Sequence, residues 1–160
     1  EDKNLINPLY EKTEFSTSGL DISFMNPYLL LVFGENNESR FNLSINIEES
    51  KTKRSVETNQ AVSKLRYELK FVYALFLNEK SCVVFDKQLT SYFSIIPKSS
   101  GYNYGTDTSL EKKYQLAITE NLNQFISLVK DKNYSCMLKA VNEISKSYNN
   151  INLSIVLIPY

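Results

Sequence analysis

The chain has 160 residues and no net charge, because 18 lysines and arginines are balanced by 18 aspartates and glutamates. This length fits a single globular domain, taken here as 1–160, and the balanced charge lacks the basic surplus that is usual in nucleic-acid-binding proteins. Histidine is absent, which excludes Ser-His-Asp and Cys-His nucleophiles and zinc sites that contain histidine.

The first third of the chain has the pattern of a three-stranded meander. Apolar and polar residues alternate toward the end of 15–24, and the apolar run 28–33, which is followed by Gly34, is typical of a buried strand. From Phe41 to Ile47 every second residue is apolar, which predicts a strand with one face on the core and one in water.

The period of the apolar residues then changes. From Ala61 to Phe76 they step by three or four positions, which predicts a helix with Ser55 as its N-cap and Asn78 at its end. A second interpretation stays open, in which residues 70–86 form a hairpin with a four-residue loop. We favour the helix, because its apolar face is continuous.

Two short strands, 82–86 and 90–96, are predicted next. Thr108 and Glu111 have the spacing of a capping box, so we expect a helix over 109–130.

The last part of the chain predicts a further helix, 134–148, and a final strand, 151–160. Mixed runs of strands and helices indicate the α+β class. The predicted fold is a single antiparallel or mixed sheet with about three helices packed against it.

Cys82 and Cys136 are the two cysteines of the chain. Their separation excludes a short Cys-x-x-Cys redox or zinc motif. A reactive thiol at Cys136, in the first turn of a predicted helix, and two buried free thiols are both open alternatives. We favour a disulfide, because an even number of cysteines in an exported chain is typical of pairing.

The polar segment 98–109 is the best candidate for a binding site. Tyrosine, serine, glycine and asparagine are the residues that binding loops favour, since tyrosine offers a rigid contact area and the others adapt. We therefore predict that Tyr102, Asn103, Tyr104 and Asp107 contact a partner. The alternative is a plain connector whose tyrosines lie on the body of the protein.

Paired carboxylates could support acid–base or glycosidase catalysis without histidine. The adjacent Glu48 and Glu49, and Asp107 near Glu111, are the candidates, but acids that are neighbours in sequence are usually solvated surface groups. We predict no catalytic residues, no metal site and no cofactor, and we expect that the chain is not an enzyme.

The chain begins at Glu1, which fits a mature exported protein without its signal peptide and equally a shortened chain. No apolar run approaches the about 20 residues of a membrane-spanning helix. We expect a small secreted or periplasmic protein, of the inhibitor, immunity or envelope-accessory kind, that binds another protein by surface complementarity. A structural or assembly subunit of the envelope, or a carboxylate-based hydrolase, is the alternative.

Overall fold

The computed structural model describes residues 7–55, 63–78, 82–96 and 106–130. These ranges contain four strands that form one sheet in the order β1-β2-β3-β4, with β1 parallel to β2 and the other pairs antiparallel. The elements are β1 (Thr13–Gly19), a 3-10 turn (Ser23–Met25), α1 (Asn26–Phe33), β2 (Phe41–Ser55), β3 (Ser63–Leu77), β4 (Cys82–Ile95) and α2 (Thr106–Val129).

The α+β class and the mixed sheet were predicted and are confirmed. The described ranges hold two α-helices where about three were expected. The predicted helix 134–148 and strand 151–160 lie outside the described residues.

Strand β2 confirms the alternation seen in the sequence. Phe41, Leu43, Ile45 and Ile47 are buried on one face of the sheet. The residues between them point to the opposite face, where they are exposed or half-buried, because successive side chains of a strand leave on opposite sides.

Over Ser63–Leu77, strand β3 lies where the helix from Ser55 to Asn78 was predicted, and the hairpin interpretation of residues 70–86 is the correct one. Residues 56–62 of the predicted helix lie outside the described residues. Every second residue from Tyr67 to Leu75 is buried, which is a strand period. The helical spacing was misleading, because the opposite face of this central strand also carries apolar residues, such as Val72 and Phe76.

Helix α1 replaces the strand predicted over 28–33. Pro27 lies in its first turn, where a fixed φ suits a helix and the missing N–H is not needed. At the other end Gly34 has a φ of +70°, and its N–H donates to the Leu30 carbonyl at 2.8 Å. The predicted meander is therefore wrong, since β1 and β2 are parallel and α1 makes the crossover that parallel strands require.

Strand β4 is one strand where two were predicted. The exposed residues Asp86, Lys87 and Gln88 separate the two apolar runs, but they stay paired with β3, opposite Ala74, Tyr73 and Val72 respectively. The backbone of β4 stays hydrogen-bonded to β3 through this stretch, although its side chains are exposed. A register shift beside Leu75 makes a bulge near the start of β4.

Helix α2 begins at Thr106, so Thr108 lies inside the helix and not at the N-cap as predicted. The apolar stripe that predicted this helix is confirmed. Its buried residues are Ala117, Ile118, Leu122, Phe125, Ile126 and Val129. This stripe packs against the same sheet face that carries the buried residues of β2 and β3.

A buried polar network joins α2 to the sheet. The Tyr73 hydroxyl donates to Asn121 Oδ1 at 2.7 Å, and Asn121 Nδ2 donates to Ser91 Oγ at 2.8 Å. Burial raises the pKa of Tyr73, since the charged phenolate would lose its hydration. The ring of Tyr73 stacks on Phe125 with centroids 4.1 Å apart.

Candidate functional site

The predicted binding loop falls largely outside the described residues. Tyr102, Asn103 and Tyr104 are among the undescribed positions, and Asp107 lies in the first turn of α2 without a described side chain. Their role as a contact surface stays a prediction.

Cys82 is the first residue of β4 and lies opposite Leu77, whereas Cys136 is outside the described residues. We keep the disulfide between them as a prediction. The intact mass without reductant should lie about 2 Da below the mass after reduction, because each disulfide removes two hydrogens. A matched Cys82→Ser variant should show no such shift, and two thiols that label after unfolding without reductant would contradict the pairing.

The segment before β1 is fixed to the end of α1. Asn7 is buried, and its Nδ2 donates to the Val32 carbonyl at 2.6 Å. Four residues on, the N–H of Glu11 donates to the Phe33 carbonyl at 2.7 Å. These bonds satisfy two of the carbonyls that a helix leaves unpaired at its C-terminus, so they set the angle at which the segment meets α1.

The outward side of α1 carries exposed leucines beside this segment. Leu29 and Phe33 are buried in the core, while Leu30 is 52% exposed and Leu31 is 64% exposed. They border a depression of about 460 Å³, which we call the leucine depression. Its lining residues are Tyr10, Glu11, Pro27, Leu30, Leu31, Gly34, Glu35 and Asn37.

The shape of the leucine depression depends on Gly34. A Cβ built at this position would lie 2.9 Å from Glu11 Cγ and 3.0 Å from the Tyr10 ring. Both distances are too short for ordinary carbon contacts, and the φ of +70° also favours glycine. Glycine therefore lets Tyr10 and Glu11 lie directly against the end of the helix.

Glu11 is held in a left-handed backbone conformation, with a φ of 57°. Non-glycine residues adopt this region seldom, and surrounding bonds must hold them there. The N–H of Glu11 donates to the Phe33 carbonyl, as described above. The Glu11 carbonyl accepts hydrogen bonds from the N–H groups of Asn37 at 3.0 Å and Glu38 at 3.2 Å. The backbone that borders the depression at Glu11 is therefore held in place by three hydrogen bonds.

The charge around the leucine depression is negative. Glu11 and Glu35 line it, and Glu38 is bonded to the same backbone. Within the described ranges, the ion pairs are Lys51 with Glu49 and Lys70 with Glu48, so they leave these three carboxylates without a basic partner. Lys12 and Arg40 are close in sequence, but neither lines the depression.

The adjacent acids Glu48 and Glu49 do not form a carboxylate pair. They lie on opposite faces of β2; Glu48 pairs with Lys70 at 2.6 Å, and Glu49 pairs with Lys51 at 3.0 Å. Glu49 also accepts a hydrogen bond from the Tyr114 hydroxyl. Partial burial and this bond raise the pKa of Tyr114, and the bond to Glu49 raises the pKa of Lys51. These contacts tie α2 and β2 together.

A second, smaller depression of about 360 Å³ lies beside β1 and the start of β2. Its lining is mixed: Glu14, Phe15, Ser16, Asn42, Leu43, Ser44 and Phe76. None of its apolar residues is among the strongly exposed hydrophobic side chains of the described part of the chain. It is the weaker candidate for a contact surface.

A metal-binding cluster and a membrane-spanning helix are both absent from the described ranges. No three aspartate, glutamate, cysteine or histidine side chains come together there as metal ligands. In the same ranges, neither helix combines the length and the apolar character needed to cross a membrane.

By sequence, the chain matches no family model and no curated protein. By structure, it is similar to a candidate lipoprotein from Caulobacter crescentus CB15, with a TM-score of 0.56 and 10% identity over 80% of this chain and 91% of that one. This similarity shows a shared fold.

Two further structures are less similar. A minor lipoprotein from Acinetobacter baumannii has a TM-score of 0.41 and 9% identity, over 76% of this chain and 88% of that one. The rare lipoprotein B from Shewanella oneidensis has a TM-score of 0.37 and 11% identity, over 88% of this chain and 98% of that one.

Proposed function

We propose that this chain is an exported, non-enzymatic accessory protein of the bacterial envelope that binds a protein partner by surface complementarity. The observation that carries the proposal is the leucine depression. Two adjacent leucines, each more than half exposed, lie on a helix whose geometry is fixed by the bonds of Asn7 and Glu11. Exposed apolar surface on a rigid element is typical of protein contact sites.

The fold supports the envelope location. The Caulobacter crescentus protein that shares it is described as a candidate lipoprotein, and lipoproteins are held at membranes by acyl chains. The predicted Cys82–Cys136 disulfide is a consequence expected of the same location, because disulfides persist in exported proteins of oxidising compartments.

The charged groups support a binding role over a catalytic one. Glu48 and Glu49, the adjacent acids of β2, each pair with a lysine and lie on opposite faces. A hydrolase of the two-carboxylate type requires both groups to face one substrate. Together with the absence of histidine, this favours contact by shape and charge.

The polar segment 98–109, which we call the tyrosine loop, is proposed as a second contact. This segment leads into α2 and contains Tyr102, Asn103, Tyr104 and Asp107. These residue types are typical of binding loops, whether or not the leucine depression also binds a partner. A partner could engage one surface or both, so an experiment must vary them separately.

A capture experiment with matched variants tests the proposal. Wild-type protein on a solid support should retain one stoichiometric envelope protein from native extract. Leu31→Ser should weaken that binding by about tenfold or more, as expected for a central apolar contact. Leu116→Ser is the control, since Leu116 is 58% exposed on the other helix.

A Tyr102→Ala, Tyr104→Ala double variant measures the contribution of the tyrosine loop to the same binding. Retention unaltered by Leu31→Ser and by the tyrosine variant would reject both surfaces.

A further inference from the structure

The leucine depression combines exposed aliphatic surface with negative charge. Leu30 and Leu31 are 52% and 64% exposed, and Glu11 and Glu35 line the same depression. We propose that it binds a protein segment in which an aliphatic side chain is flanked by lysine or arginine. This inference rests on the proposed function and names the chemistry of the partner.

The apolar part of the depression favours an extended partner over a small molecule. Sites for small ligands usually cover most of the ligand surface. Here the two leucines stay more than half exposed, so the surface is shallow and covers one side of whatever lies on it. A volume of about 460 Å³ accommodates an aliphatic side chain projecting from a strand or helix that continues beyond the depression.

The negative charge of the depression favours a basic residue beside the aliphatic side chain of the partner. Glu11 and Glu35 line the depression and Glu38 is bonded to Glu11, and none of the three takes part in the ion pairs found among the described residues. Among the described residues that line the depression there is no lysine or arginine, so a basic residue of the partner would meet Glu11 and Glu35 directly. Complementary charge of this kind speeds association and selects partners.

The same charge argues against a membrane surface as the occupant. Helices that lie on membranes commonly present lysine and arginine beside their apolar face, because anionic lipids attract them. The leucines of α1 have glutamates as neighbours instead, and these would be repelled by an anionic surface. A basic protein segment fits both properties of the depression.

Synthetic peptides of defined sequence test the inference on the whole chain. The probe is a fluorescein-labelled amphipathic peptide of leucine and lysine, compared with a peptide in which glutamate replaces lysine and one in which serine replaces leucine. Fluorescence anisotropy gives the Kd of each peptide at low and physiological salt. We expect measurable binding of the leucine–lysine peptide alone, weakening as salt rises because the charges are screened.

Substitutions in this chain test whether the peptide binds at the leucine depression. Leu31→Ser should raise the Kd by about tenfold or more. The Glu11→Gln, Glu35→Gln double variant should raise it several-fold and flatten its salt dependence. Leu116→Ser and Glu120→Gln change exposed residues of α2 and should stay within twofold. Circular dichroism confirms that each variant keeps its fold.

Three results would overturn the inference. One is equal binding of the lysine and glutamate peptides, or no effect of the glutamine substitutions. Another is Leu31-dependent binding to phosphatidylcholine–phosphatidylglycerol vesicles without peptide binding, which would make the occupant a membrane. The third is Leu31-dependent self-association in light scattering. A capture partner that still depends on Leu31 would leave the proposed function standing in each case.

Discussion

Replacing Phe125 with alanine should lower the free energy of unfolding by about 3–5 kcal/mol. The side chain is fully buried, its ring stacks on Tyr73 at 4.1 Å, and its centroid lies 5.9 Å from that of Phe85. Removing it takes away buried apolar area and leaves a cavity between α2 and the sheet. Urea unfolding followed by circular dichroism measures the change.

The matched control for Phe125 is Leu116→Ala on the same helix. Leu116 is 58% exposed, so its removal should change the free energy of unfolding by less than about 0.5 kcal/mol. Similar losses for the two variants would mean that α2 does not pack on the sheet as described.

Asn121→Ala should cost about 2–4 kcal/mol, because it leaves the Tyr73 hydroxyl buried without its partner and also removes the bond to Ser91. Asn123→Ala is the control: Asn123 is exposed and accepts a 3.4 Å bond from Tyr28, so its loss should be small. Thermal and urea unfolding of both variants provide the comparison.

A double-mutant cycle separates the hydrogen bond from the packing. Tyr73→Phe removes the buried hydroxyl, so adding it to Asn121→Ala should cost less than it does in the wild-type protein. Strictly additive costs would show that the Tyr73–Asn121 bond does not contribute to stability.

The elements that the sequence predicted correctly are those with a single dominant period. Strand β2 alternates cleanly from Phe41 to Ile47, and α2 carries one long apolar stripe that includes Leu122 and Phe125. In each case one face is apolar and the other polar, so only one secondary structure buries the apolar side chains.

Prediction was wrong where both faces carry apolar residues. Strand β3 is central in the sheet, and its second face holds Val72, Ala74 and Phe76, which imitates a helical spacing. In α1 the opposite error occurred: the run of six apolar residues, 28–33, was interpreted as a buried strand, yet a helix of that composition must turn some of them outward.

The exposed leucines were missed for the same reason. Leu30 and Leu31 were assigned to a buried strand, so the sequence offered no contact surface there. Pro27 before the run and Gly34 after it were the available signals, because proline in the first turn and glycine past the end are typical of a helix. The tyrosine loop was predicted as a contact surface from residue types alone, and this stays a hypothesis.

The parallel pairing of β1 has a consequence for the order of assembly. Strands β2, β3 and β4 pair antiparallel in chain order, and Leu77 pairs with Cys82, only five positions further along the chain. Strand β1 pairs with β2 only after the whole of α1 has been placed between them, which requires closure of a longer loop. The three hairpin strands should therefore form first, with β1 and α1 docking last. The proposed binding surface lies on α1, so a partner bound there would stabilise the product of this last step of assembly.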